Sequence, residues 1–157
     1  MEENLQELGS GIRDFIWTLD PRQDSLHATL DRIRDFASSL FEHTDIEFQF
    51  DNQLQGDEEE NLSLTTKRHL LLICKEALNN VLKYADGSKV SIRVERKDKL
   101  LLLQIRDNGK GFEEEELKRI NGLNNMRNRA KEIDAQIEIE SSESQGTSIR
   151  LAKEIFK

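Results

Sequence analysis

KEALNNVLKYA, residues 75–85, is apolar on one side and polar on the other, and the job of its polar side decides how the chain is read. At about 100° per residue, Glu76, Asn80 and Lys83 fall within roughly 60° of one another. Leu71, Cys74, Ala77, Leu78, Val81 and Ala85 cluster opposite them. Two readings fit. One is a solvated helix face carrying a Glu–Lys pair. The other is a row of ligands: an amide oxygen suits Mg²⁺ without adding charge, a carboxylate can orient or deprotonate a nucleophile, and an ammonium can neutralise phosphate oxygens. The helix alone does not choose between them.

The segments around it are a regular alternation of elements. The helix is expected over residues 64–85. KVSIRVER (89–96) and LLLLQIRD (100–107), joined by Lys97-Asp98-Lys99, alternate as an antiparallel hairpin. Upstream, Ile46, Phe48 and Phe50 in DIEFQFD alternate as a strand with one buried face, followed by an acidic loop, DNQLQGDEEENLS. Downstream, EEEELKRI (113–120) reads as a short acidic helix or lid. LNNMRNRAKEI is a helix with Leu123, Met126, Ala130 and Ile133 inward, and AQIEIE and GTSIRLA are two closing strands. At the front, Leu5, Leu8, Ile12, Phe15 and Leu19 form one helical stripe, ended by Asp20-Pro21 because a residue before proline avoids the helical region. A second helix is expected from Ser25 to about His43, with Leu26, Leu30, Ile33, Ala37 and Leu40 or Phe41 inward. Neither front helix finds a full partner set in the pattern, so the pair is expected to lead towards a dimerisation bundle. Strand hairpins with helices on one face predict an α/β two-layer sandwich on a mixed, mostly antiparallel sheet.

Composition narrows the function classes. The chain has 157 residues, about one domain, with 36% hydrophobic and 34% charged residues. Its net charge of -8 and pI near 5.0 make nucleic acid and anionic membranes poor partners for the surface as a whole. The single cysteine, Cys74, lies in an apolar run and fits a buried thiol in a reducing compartment. The longest apolar run, at Leu100–Ile105, is too short to span a bilayer, and the acidic N-terminus lacks a signal-peptide core. A cytoplasmic location is expected.

Three further stretches bear on the choice. RDNGKGF (106–112) sits at a strand end, where Asn-Gly is a common hairpin turn. Yet no strand follows at once, and a second glycine, Gly111, exceeds what a two-residue turn needs. Such glycines allow close backbone approach to a ligand and leave amides for phosphate. Asp107 could accept a hydrogen bond from an adenine amino group. NGLNNMRNRA (121–130) opens a helix whose free amides make an anion site, with Arg127 or Arg129 either adding charge or simply solvated. In QGT (145–147), Thr147 could reach a base edge or serve only as a β-branched strand residue.

Together and in order, these stretches resemble the GHKL superfamily of ATPases, and within it the bacterial two-component sensor histidine kinases. EALNNVLKYA is similar to the family's asparagine box at Glu76, Asn80, Lys83 and Ala85, with Tyr84 standing where histidine is usual. DNGKGF resembles the first glycine box at Asp107, Gly109 and Gly111. GLNNMRNRA resembles the second box of the branch paired with LuxR/NarL-type response regulators, and GTSIRL the threonine-bearing last strand. IRDFIWTLDPRQDSL looks like the end of the second dimerisation helix and its linker. The resemblance covers nearly the whole chain. It implies the Bergerat fold over residues 21–157, preceded in residues 1–20 by part of a dimerisation helix. It also implies ATP with Mg²⁺, and phosphoryl transfer to a histidine and then to a response-regulator aspartate. By position, Asn80 would hold Mg²⁺ and Glu76 would assist the attacking imidazole. Lys83 would meet phosphate, and Asp107 would read adenine with help from Thr147. Gly109, Gly111, Gly122 and Leu123 would belong to the lid and phosphate side of the pocket.

One family part has no counterpart. His27, His43 and His69 all lack the charged flank of a phosphoacceptor histidine and read as ordinary surface or partly buried residues. The chain is therefore expected to bind ATP without appreciable autophosphorylation alone, and to need the dimerisation domain of the same kinase and a response regulator. The parent is expected to be a homodimer, with its membrane attachment left open. Two rivals remain: a stand-alone serine kinase of the anti-sigma-factor type, and a nucleotide-independent interaction module.

Overall fold

The computed structural model describes residues 2–56, 60–113, 116 and 121–157. Helix α1 (Glu2–Leu19) ends at a short 3₁₀ turn, Pro21–Gln23, where the Asp20 side chain accepts the backbone N–H of Arg22. Helix α2 (Leu26–Phe41) is capped by Ser25, whose hydroxyl accepts the Ala28 N–H. Strand β1 (Glu47–Asn52) follows. Helix α3 (Leu64–Asn80), capped in the same way by Ser63, widens into a π turn at Val81–Ala85. Strands β2 (Lys89–Lys97) and β3 (Leu100–Asp107) form the expected hairpin, tightened to a two-residue loop in which Asp98 takes a positive φ of 56°. Helix α4 (Asn121–Glu132), β4 (Gln136–Ser142) and β5 (Gly146–Glu154) complete the chain.

The five strands form one sheet in the order β1-β2-β3-β5-β4. Only β1 and β2 are parallel, joined by the α3 crossover, so the sheet is mixed and mostly antiparallel. One face carries Val90, Ile92, Val94, Leu101, Leu103, Ile105, Ile149 and Leu151 into a core shared with the helices. The opposite face is polar, with Arg93, Gln104, Arg150 and Glu138 in register across four strands. This is the two-layer sandwich expected from the alternation.

The two front helices part company. Leu26, Leu30, Ile33, Ala37 and Phe41 of α2 are all buried in the core, so α2 is a wall of the domain and finds its partners there. That corrects the expectation of an incomplete partner set for α2. On α1 the stripe remains bare: Leu5, Leu8, Ile12, Phe15 and Leu19 are 52–67% exposed, and Ile16 joins them. The last turns of α1 nevertheless dock. Buried Asp14 pairs with Arg32 of α2 and Lys75 of α3, and Trp17 lies under both Arg32 and Lys67 at 5.7 and 4.9 Å. Lys67, wholly buried, completes the joint by donating to the Asp24 carboxylate at 2.8 Å and the Asp20 carbonyl. The acidic lid expected over 113–120 falls mostly outside the described residues.

Candidate functional site

The site is built where α3, the β3 end, β5 and α4 converge. Ala77, Asn80, Val81, Ala85, Ile105, Asp107, Phe112, Leu123, Thr147 and Ile149 enclose a narrow cleft of about 20 Å³, room for roughly one water. Four of the residues singled out in the sequence, Asn80, Asp107, Leu123 and Thr147, therefore meet. Asn80 and Glu76 project from the half-buried side of α3. Glu76 lies against α4: a Cβ on Gly122 would come within 2.0 Å of its Oε1, so a larger residue at 122 would push the Glu76 carboxylate aside. Lys83 does not line the cleft. The π turn after Asn80 breaks the 100° phase and leaves Lys83 exposed in the widened turn.

Asp107 is 5% exposed at the end of β3. Its carboxylate accepts the Gly109 N–H at 2.8 Å and a backbone N–H from Thr147. Burial outweighs these two bonds and raises its pKa above the ordinary carboxylate value. Thr147 exchanges a hydroxyl hydrogen bond of 2.8 Å with Ser141, which also accepts the Phe112 N–H at 2.7 Å. A polar relay thus runs from β5 through β4 to the segment after the glycines.

The glycines act mainly by close packing. A Cβ at Gly109 would stand 2.1 Å from the Ala85 carbonyl oxygen, and that oxygen also accepts the Lys110 N–H at 2.7 Å. Gly111, at φ +70°, would press a Cβ to 1.9 Å from the Ser142 carbonyl oxygen. Gly146, at φ +81°, approaches the Asp107 carbonyl in the same manner. The amides of Gly109 and Lys110 are spent within the protein, which differs from the expectation of free amides there. The loop must be folded this tightly to bring Asp107 and Phe112 to one cleft.

Sequence reasoning passed over several contributors. The Asn108 side chain accepts the N–H groups of Ser88 and Lys89 at 3.0 and 2.8 Å and donates to the Ser88 hydroxyl, tying the glycine loop to the start of β2. Ser141 carries the relay. Tyr84, left without a role by its motif, meets Phe112 edge to face, with ring centroids 6.1 Å apart. Of these, only the Asn-Gly pair gave a signal in the sequence, and it pointed to a turn.

Residues 65–155 match the family model described as histidine kinase-, DNA gyrase B-, and HSP90-like ATPase. The chain belongs to this ATPase family, and membership implies ATP binding. It is also 44% identical over 90 residues to the sensor protein VraS of Staphylococcus aureus, covering 57% of this chain and 26% of that protein. VraS of Staphylococcus epidermidis is 41% identical over the same length. The chain thus spans about a quarter of the curated relatives it matches. Among solved structures, a blue-light activated histidine kinase from Erythrobacter litoralis superposes with a TM-score of 0.73 at 16% identity, over 96% of this chain and 54% of that one. The Acinetobacter baumannii histidine kinase AdeS superposes at 0.69 and 12% identity, over 99% and 82%. Both likenesses are of fold.

Proposed function

We propose that this chain is the ATP-binding catalytic part of a sensor histidine kinase, paired with a LuxR/NarL-type response regulator. The observation that carries this reading is the cleft joining Asn80 of α3 to the buried carboxylate of Asp107 and to Thr147, with Glu76 one helical turn from Asn80. Asp107 accepts two backbone N–H groups, and each carboxylate oxygen has a second lone pair with which it can take an adenine amino proton. Thr147 supports that edge through its hydroxyl.

The donor set also fits Mg²⁺. The Asn80 amide is a neutral hard oxygen on the half-buried rim, and Glu76 lies one helical turn away. Phosphate oxygens and water would complete the ion's shell. When bound, the ion offsets phosphate charge. Glu76 accepts a proton from, and so orients, the imidazole of a histidine supplied by another segment of the parent. The imidazole nitrogen bonds to the γ-phosphorus of ATP, the bond to the bridging oxygen breaks, and ADP leaves. Exposed Lys83 reaches the phosphates from the mouth. The bare α1 stripe favours this reading over a stand-alone serine kinase, because it is a surface in need of a second helix. No helix among the described residues is long and apolar enough to cross a membrane. A cytoplasmic position for this part of the parent is included in the proposal.

Calorimetric titration of Mg-ATP into the wild type and Asp107→Asn tests it. Saturable binding by the wild type, at least 10-fold weaker in the variant, is expected. Equal, negligible binding by both returns the chain to an inert module. A fragment carrying the missing histidine helix, mixed with the domain and labelled ATP, should then gain label.

A further inference from the structure

A second concavity, of about 410 Å³, opens between α3 and α4 and is lined by Arg68, His69, Asn125, Asn128, Arg129 and Glu132. Every one of these side chains is polar. His69 and Arg68 come from the first turns of α3, and the other four from the last turns of α4. The two helices pack against each other, with Glu76 touching Gly122 at one end and this concavity at the other. Seven residues separate His69 from Glu76 and Gly122 from Arg129, which at 1.5 Å per residue puts the two places about 10 Å apart.

His69 is 9% exposed, and its Nδ1 is buried with no hydrogen-bond partner. An orphan N–H is costlier to bury than an orphan lone pair, so the neutral ring keeps its proton on Nε2. Burial, then Arg129 and Arg68, disfavour the charged ring against the opposing pull of Glu132. The imidazole therefore presents one N–H donor. Arg68 and Arg129 present guanidinium donors from two different helices. Neither pairs with a carboxylate among the described residues, although the chain holds 31 acidic residues against 23 basic ones. Asn125 and Asn128 add amide donors one turn apart on α4.

We infer that this concavity binds a small tetrahedral oxyanion, of the phosphate or sulfate class, gripped by Arg68 and Arg129 and met by His69 Nε2–H. Guanidinium groups suit such an anion because their planar donors match its oxygen spacing. Glu132, at the rim, takes the hydrogen of a monoprotonated phosphate. The occupant would tie α3 to α4 about two turns from the Glu76–Gly122 contact. The inference does not rest on the nucleotide reading, since none of its six residues lines the cleft at Asp107.

The test is an NMR titration of the whole chain with inorganic phosphate, following the imidazole resonances at constant ionic strength. His27 and His43 serve as internal references. A saturable shift of His69 alone is expected, at least 10-fold weaker in Arg68→Gln and in Arg129→Gln and unchanged in Lys83→Gln. Sulfate, which has no hydrogen for Glu132, should reproduce it more weakly, and chloride should not. A shift that fails to saturate, that chloride reproduces, or that survives both arginine variants overturns the inference. Loss in Lys83→Gln alone would place the phosphate at the nucleotide mouth and overturn it equally.

Discussion

Asp107 carries a carboxylate into a cleft where burial disfavours its charge, and two backbone donors only partly compensate. The sign of the linkage follows. Its folded pKa lies above the unfolded value near 3.8, so the folded state holds the proton more tightly. Stability from this group is therefore greatest below the unfolded value and is lost as pH rises through the folded one. Above that, the ionised group is a standing cost. Asp107→Asn, neutral at all pH, should be more stable relative to the wild type at pH 7 than at pH 4, as read by thermal melts at both. A difference that grows on acidification would contradict this account. His69 works oppositely: its folded pKa is lowered, so stability fully present above the unfolded value near 6.5 is lost as pH falls below it through the folded one. Cys74, wholly enclosed, is pushed up to about 12 and should be silent to thiol reagents until the chain unfolds. That Asn80 and Asp107 share one cleft was legible because each couples a chemical type to a motif. Ser141, Asn108 and the role of Tyr84 were not, because each acts across a sheet register or a loop closure that no local pattern encodes.

At the scale of elements, every helix and strand among the described residues stands close to where periodicity places it. The misses are those of partnership. The apolar stripe of α2 is much like that of α1, and nothing local says that one is covered and the other bare. The parallel pairing of β1 with β2 depends on the α3 crossover, and alternation in DIEFQFD is blind to it. The π turn at Val81–Ala85 was hidden because its residues continue the helical pattern while shifting its phase. Gly111 shows how tightly these elements are closed. Gly111→Ala combines a left-handed φ with a clash on the Ser142 carbonyl and should cost about 2 kcal/mol or more, with denaturant melts as the measure. The joint of α1 makes a separate prediction. Asp14→Ala leaves Arg32 and Lys75 without a shared carboxylate and should cost about 1–3 kcal/mol of docking. Hydrogen exchange should then rise in residues 11–19 with little change in β2 or β3.

For the whole molecule, the closed core and the bare stripe point in opposite directions. A domain that buries α2, α3 and α4 against its sheet closes its own core, yet α1 carries Leu5, Leu8, Ile12, Phe15, Ile16 and Leu19 into solvent on a helix docked through its last turns. On the proposed reading, an apolar row of this kind is half of an interface whose other half is a further helix, one that a second copy of the chain could supply. The row is only about two heptads long, and isolated helices of this length are marginal, so association through it should be weak. Sedimentation of the isolated chain should therefore show a reversible, concentration-dependent shift towards dimer in the high micromolar range. Phe15→Glu should abolish the shift, because a charge in the middle of the stripe cannot be desolvated without a partner. Phe15 lies outside the cleft, so Mg-ATP affinity should stay within about twofold of the wild type. A dimer that persists in Phe15→Glu would move the contact elsewhere, with the polar outer face of the sheet as the remaining broad surface. A variant that loses both dimer and nucleotide would instead show that α1 holds the ATP site in shape through the Asp14–Lys75 joint, one residue from Glu76.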